Sequence, residues 1–63
     1  MNEANIADAL EAFRADAEAL ARGTSRVFLS AGRFATVERK AGFDYVRLYD
    51  LRGEPLTAKR FRV

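Results

Sequence analysis

Apolar residues in the first third of the chain recur with the period of an α-helix. Five of them are spaced by four, three, four and three positions, namely Ile6, Leu10, Phe13, Ala17 and Leu20. At 3.6 residues per turn, these positions share one side of a helix. The segment contains neither Pro nor Gly and is rich in Ala, which has the highest helix propensity. The pattern predicts a single helix over residues 3–22, ended by Gly23 in a left-handed conformation.

From residue 24 onward the hydrophobic period changes from 3.6 to 2, which indicates β-strands. We predict four strands, over residues 26–30, 33–39, 43–50 and 56–62. The links between them are short and each contains Gly, so consecutive strands should be antiparallel neighbours in a meander. At the first link, Ala31-Gly32, the alternative is one bent strand with a bulge at Gly32.

The predicted fold class is therefore α+β, with one N-terminal helix packed on one face of a three- or four-stranded antiparallel β-meander. Sixty-three residues is the size of one small domain. The composition, 49% hydrophobic and 32% charged, is typical of a globular chain. The sequence contains no internal repeat and no linker, so we interpret residues 1–63 as a single domain.

The third strand alternates aliphatic residues with aromatic and basic ones. We expect Val46 and Leu48 to face the helix, because a helix packs best against side chains that carry no polar atoms. Tyr45, Arg47 and Tyr49 should then lie on the opposite face, which no further helix covers. This assignment depends on the register, because a shift of one residue exchanges the two sets.

The same alternation in the other strands extends both faces. The residues expected on the helix side are Ala35, Val37, Phe61 and Val63. The candidate partner-binding residues, all expected on the uncovered side, are Phe34, Tyr45, Arg47, Tyr49, Arg60 and Arg62. Aromatic rings interleaved with arginine can stack on bases and neutralise phosphates, and Tyr and Arg are enriched in protein interfaces. A purely structural explanation is that rings favour strands and Arg stems lie across them.

Two smaller features also have more than one interpretation. Ala12, Ala15 and Ala19 are expected on the outer side of the helix, where small side chains allow a partner helix or a second copy to approach closely, or simply raise helix propensity. The basic segment 59–62 near the C-terminus either follows phosphates or protects an exposed edge strand from pairing with other chains.

Charge is distributed unevenly along the chain. Residues 1–22 carry five acidic and two basic residues, whereas residues 23–63 carry nine basic and four acidic ones. Six of the seven aromatic rings also fall in the second segment. The predicted sheet is therefore basic and aromatic, which suits a partner that presents carboxylates or phosphates.

The absence of Cys and His excludes several kinds of chemistry. Disulfides, thiolate nucleophiles and imidazole bases are missing, and the hydroxyl residues have no His to activate them. The sequence has no carboxylate cluster with metal-ligand spacing and no Gly-rich phosphate loop. We therefore expect a protein that is not an enzyme and binds no metal or cofactor. Because neither a signal peptide nor a membrane span is evident, we expect a cytoplasmic protein without a membrane partner.

Two classes of function fit these observations. In the first, the chain is a small protein-binding inhibitor or adaptor, of the kind that phages and other mobile elements of bacteria encode against host machinery such as a CRISPR-type defence complex. Its partner is then a protein or nucleoprotein complex, and the chain itself is a monomer or weak homodimer. The alternative is a nucleic-acid-binding module that uses the basic, aromatic sheet face. Short chains without enzyme chemistry commonly act by occupying a partner's surface, which favours the first class.

Overall fold

The computed structural model of the protein describes residues 2–30 and 32–63, with side chains from residue 5 onward within those ranges. Two helices precede four strands, in the order α1 (Asn2–Ala15), α2 (Ala17–Arg22), β1 (Thr24–Leu29), β2 (Arg33–Lys40), β3 (Phe43–Asp50) and β4 (Pro55–Arg62). The predicted α+β class, with an N-terminal helical part on an antiparallel sheet, is confirmed.

The four strands form one antiparallel meander in the order β1-β2-β3-β4. β1 and β2 are separate strands that pair from Thr24 opposite Glu38 to Leu29 opposite Arg33. The alternative of one bent strand is therefore wrong. The expected link at Ala31-Gly32 includes Ala31, which lies outside the described residues.

The expected continuous helix over residues 3–22 is interrupted at Asp16. This residue has an extended backbone, with φ −105° and ψ 105°, and its carboxylate accepts hydrogen bonds from the amides of Glu18 and Ala19. A short carboxylate that bonds the backbone in this way caps a new helix instead of continuing the old one. The prediction of a single helix is wrong, because it was based on the spacing of apolar residues, and that spacing contains no information about the capping carboxylate of Asp16.

The interruption changes which side of α2 faces the sheet. Ala19 is fully buried, whereas Ala17 is exposed. The sequence predicted the reverse, because it extended the phase of α1 through Asp16. Ala12 and Ala15 are exposed, as expected. Of the three alanines expected on the outer side of the helix, Ala19 is therefore the one that lies in the core instead.

The hydrophobic core lies between the helices and one face of the sheet. Its buried members are Ile6, Ala9, Phe13, Ala19, Ala35, Val37, Val46 and Leu48. α1 lies across β1, β2 and β3, and the inward placement of Val46 and Leu48 follows the predicted alternation. Phe61 is half-buried at the border of the core. Val63 is 59% exposed, so its expected inward placement is wrong, because β4 ends at Arg62.

β3 and β4 are joined by a tight turn that Asp50 organises. Its carboxylate accepts hydrogen bonds from the amides of Arg52 and Glu54, at 2.9 and 3.0 Å. The bond from Glu54, followed by that from Arg52, lowers the pKa of Asp50 against the opposing effect of burial. β4 begins at Pro55, opposite Tyr49, whereas Thr57 lies opposite Leu48. The residue between them is therefore an extra one that forms a β-bulge on the edge strand.

The turn between β2 and β3 places a side-chain-bearing residue in the left-handed region. Ala41 has φ 53° and Gly42 has φ 83°, which is the backbone of a type I′ turn. Two positive φ angles match the twist of the flanking strands, but a Cβ in this region costs roughly 1–2 kcal/mol. Asn adopts the left-handed conformation more readily than Ala.

Ala41→Asn should therefore stabilise the protein, by about 0.5–1 kcal/mol, since it relieves strain without removing a contact. A thermal melt should show a midpoint raised by a few degrees, as expected for a domain of this size. The matched control is Ala58→Asn, in which the same change is made at an exposed position of β4. That control should show no increase, because Asn disfavours strands. An unchanged or lower midpoint for Ala41→Asn would contradict the type I′ assignment.

Candidate functional site

The sheet face opposite the helices is uncovered within the described part of the chain. Strand pairing assigns to this face alternate residues from all four strands, because paired residues share a side of an antiparallel sheet. We call this surface the open face, and its members are Thr24, Arg26, Phe28, Phe34, Thr36, Glu38, Lys40, Phe43, Tyr45, Arg47, Tyr49, Pro55, Ala58, Arg60 and Arg62.

Aromatic rings form a continuous row across one end of the open face. Phe28 on β1 is paired with Phe34 on β2, which is paired in turn with Tyr49 on β3. The rings of Phe34 and Tyr49 are stacked, with centroids 5.1 Å apart and planes 16° apart. The ring of Phe28 lies 6.0 Å from that of Phe34 and is 72% exposed at the edge of the sheet. Contacts between neighbouring rings, stacked between Phe34 and Tyr49 and tilted between Phe28 and Phe34, order the row into one apolar surface.

Arginine side chains are positioned over several rings of the open face. The guanidinium carbons of Arg60 and Arg62 lie 4.5 and 5.4 Å from the centroid of the Phe43 ring. Arg26 lies 5.4 Å from the centroid of Phe34. Cation–π contacts at exposed sites contribute about 0.5–1 kcal/mol each. A guanidinium ordered in this way presents its planar set of donors to a carboxylate or phosphate with little further loss of entropy.

The open face carries an excess of positive charge. Its basic residues, all exposed, are Arg26, Lys40, Arg47, Arg60 and Arg62. Glu38 is the acidic residue of the face, and its carboxylate is 3.9 Å from the guanidinium of Arg47. Both side chains are about half exposed, so this pair contributes little to stability. The remaining basic groups are available to an acidic partner.

The structure places every sequence-predicted site residue on the open face. These residues are Phe34, Tyr45, Arg47, Tyr49, Arg60 and Arg62. The register brings Tyr45 opposite Arg60 and Phe34 opposite Tyr49. Arg47, Arg60 and Arg62 are exposed, whereas the three rings are half-buried against their neighbours. The set therefore forms one contiguous surface.

The predicted site residues leave out several members of this surface, among them Arg26, Phe28 and Phe43. A signal for the first two was present, because they alternate with Val27 and Leu29 along β1. Phe43 alternates with Asp44 at the start of β3, but its role as the ring beneath Arg60 and Arg62 depends on the pairing of β3 with β4. That pairing is set by the turn at Asp50 and the bulge after Pro55, whose combined offset the hydrophobic pattern does not reveal.

The opposite side of the sheet contains a buried ionic cluster centred on Asp44. Its carboxylate is fully buried and accepts two hydrogen bonds from Arg39, at 2.8 and 3.0 Å, and one from Arg14, at 2.8 Å. Arg14 also donates to the carbonyl of Arg62 at 2.9 Å. The cluster therefore joins α1 to β2, β3 and β4. Alternation along β3 puts Asp44 on the same side as Val46 and Leu48, but the hydrophobic pattern does not identify its partners.

The arginines also determine the protonation of Asp44. The hydrogen bonds from Arg39, which have the largest effect, and the hydrogen bond from Arg14 lower the pKa of Asp44, although burial acts in the opposite direction. The bonds between Arg39 and Asp44 also raise the pKa of Arg39. The carboxylate is thus held ionised at neutral pH by charge-assisted bonds. The carboxylate of Asp44 and the guanidinium groups of Arg14 and Arg39 pair with one another beside the core. We therefore interpret the cluster as structural, and the open face remains the candidate site.

Three observations limit the chemistry that can be assigned to the described residues. They contain no group of three or more acidic, His or Cys side chains able to hold a metal ion. None of their helices is long and apolar enough to cross a membrane. No protein-family model, no curated protein and no solved structure matches the chain. Functional inference therefore depends on the geometry of the open face.

Proposed function

We propose that the protein is a small non-catalytic inhibitor or adaptor that binds another protein through its open face. The observation that supports this proposal is the combination, on one uncovered surface, of a rigid aromatic row with ordered arginines. Aromatic and arginine side chains are the residues most enriched in the energetic centres of protein interfaces. Rings have few rotatable bonds, and the arginines that lie over rings are already ordered, so these side chains lose little conformational entropy when a partner binds.

The contacts of the rings favour a protein partner over a single-stranded nucleic acid. Non-specific single-strand binding depends on ring faces that are free to stack on bases. On the open face, Phe34 is contacted by Tyr49 from β3 and by Arg26 from β1, on opposite sides of its own strand. Phe43 lies beneath Arg60. These rings therefore offer edges and apolar area, which suit side chains of a protein better than bases.

Charge defines the chemistry of the partner. The excess of basic groups on the open face is complementary to a protein surface that presents Asp and Glu around an apolar contact for Phe28 and Tyr49. Charge complementarity of this kind accelerates association and excludes basic surfaces. A host protein, or the protein component of a bacterial defence complex, is the type of target we propose, and blocking its acidic surface is the proposed mode of inhibition.

Capture of the partner from a nuclease-treated lysate of the source cells tests this proposal. The bait variants are wild type, Arg47→Ala/Tyr49→Ala on the open face and Glu11→Ala on the exposed side of α1. We expect the same protein to be retained by wild type and Glu11→Ala, and at least a tenfold loss with the double variant, roughly the effect of removing one interface centre. Far-ultraviolet circular dichroism verifies that each bait is folded.

Two results would contradict the proposal. One is retention of the protein by the double variant at the wild-type level, which would place binding outside the open face. The other is recovery only from a parallel lysate without nuclease, in an amount that falls steeply with salt, because that behaviour indicates phosphate-driven binding and therefore the nucleic-acid alternative.

A further inference from the structure

The two edges of the sheet differ in how they are protected against pairing with another chain. β4 begins with Pro55, which has no amide donor, carries a bulge after it, and places Lys59 opposite Val46 on the helix side. Proline, bulges and charged residues on an edge strand all discourage further strand pairing. β1 has neither a proline nor a bulge, and Arg26 is its single charged residue. The sheet is therefore closed to strand addition at β4 and open at β1.

The outer backbone of β1 has a definite hydrogen-bonding phase. The amide of Arg39 on β2 donates to the carbonyl of Gly23, at 2.9 Å, on the side of β1. Since backbone groups alternate in direction along a strand, the amides and carbonyls of Val37, Ala35 and Arg33 also point toward β1. The β1 residues paired with these three therefore direct their own amides and carbonyls toward β2. The intervening residues Arg26 and Phe28 direct their amides and carbonyls outward. Within the described ranges, no hydrogen bond to another element is formed by these outward groups.

From this phase we infer that the outer edge of β1 pairs with β1 of a second copy of the chain, with Val27 on the two-fold axis and Arg26 opposite the second copy's Phe28. Outward-facing groups then meet outward-facing groups, which satisfies them in hydrogen-bonded pairs. The shifted register with Arg26 on the axis would place two like charges opposite each other. The register with Phe28 on the axis would shorten the overlap and lose the contact between ring and guanidinium.

The second copy accounts for the most exposed aromatic residue. Phe28 is 72% exposed at the edge of the open face, and in the pair its ring would lie beside the guanidinium of Arg26 from the other copy, as Arg26 already lies over Phe34. The result is a continuous eight-stranded sheet with both open faces on the same side. Because one short strand from each copy makes the contact, the dimer should be weak and should dissociate on dilution.

Cysteine pairing tests the register directly, because the natural chain contains no Cys. In the proposed pair, residues 26 and 28 of opposite copies have Cα atoms about 5.5 Å apart, within the range of about 4.4–6.8 Å that a disulfide spans. Residue 26 lies diagonally from its own counterpart, about 7–8 Å away, too far for a disulfide. A mixture of Arg26→Cys and Phe28→Cys proteins should therefore form disulfide-linked heterodimers under mild oxidation. Neither variant alone should exceed the background set by Leu56→Cys on β4.

Sedimentation equilibrium of the cysteine-free protein provides the second measurement. Phe28→Lys replaces an exposed side chain and should raise the dimer dissociation constant by about tenfold, because two symmetric cross-strand contacts are lost. The Arg47→Ala/Tyr49→Ala variant should dimerise like wild type, so failure of the proposed function leaves this result unaffected. Equal cross-linking of the single variants and the mixture would overturn the inference. So would a monomer at every concentration tested, or a Phe28→Lys protein that dimerises like wild type.

Discussion

Replacing Phe13 with Ala should unfold most of the protein at room temperature. Phe13 is fully buried and is the largest of the buried side chains that join α1 to the sheet. Phe→Ala changes in a core cost about 3–5 kcal/mol, from lost burial and the cavity that remains. Domains of this size have little more stability than that in total. Urea denaturation followed by circular dichroism should show a variant with a much lower midpoint or no folded baseline.

Phe28→Ala provides the matched control for this experiment. It removes the same side chain from a position that is 72% exposed on the edge strand, so the free energy of unfolding should change by about 0.5 kcal/mol or less at concentrations where the chain is monomeric. A Phe13→Ala variant that melts within a few degrees of the parent would show that α1 does not pack on the sheet in the way described.

The second large effect is expected at Asp44. Asp44→Ala removes a buried carboxylate that accepts three hydrogen bonds and leaves Arg14 and Arg39 without it. Breaking a buried ion pair costs about 3–5 kcal/mol. Here we expect about 3 kcal/mol, because the two arginines are 38% and 32% exposed and regain some hydration. Asp8→Ala, at an exposed position of α1, is the control and should be nearly neutral.

The same cluster predicts how stability depends on pH. Since folding lowers the pKa of Asp44, its contribution should be complete above the unfolded-state value of about 3.9. It should decrease as the pH falls through the lower value of the folded state. Urea midpoints measured from pH 6 downward should therefore fall for wild type and fall less steeply for Asp44→Asn. Parallel profiles for the two proteins would contradict the role assigned to the cluster.

The sheet was more predictable from sequence than the helical part. Alternation along β3 separates Val46 and Leu48 from Tyr45 and Arg47, and this period-two signal persists over the whole strand. The break at Asp16 was missed because alanine on both sides of it fits either helical phase. The carboxylate of Asp16 is present in the sequence, but the hydrophobic pattern does not reveal that the backbone leaves the helical conformation there.

Pairings between distant segments could not be read from the sequence. Asp44 meets Arg14 from 30 positions away, and the hydrophobic pattern identifies neither partner of a buried ion pair. The rings and arginines of the open face were recognised as a set because alternation alone places them on one side. Their detailed contacts, such as Arg60 over Phe43, depend on a turn and a bulge whose offset is a property of the folded chain.

Site-specific photocross-linking tests most directly the claim that the open face is the binding surface. A benzophenone-bearing residue is introduced in place of Ala58, which is exposed on the open face opposite Arg47, or in place of Ala12, which is exposed on α1. Each protein is irradiated in the source-cell lysate after nuclease treatment. We predict a covalent adduct with one partner protein from position 58 and none from position 12. An adduct from position 12, with none from position 58, would contradict the account.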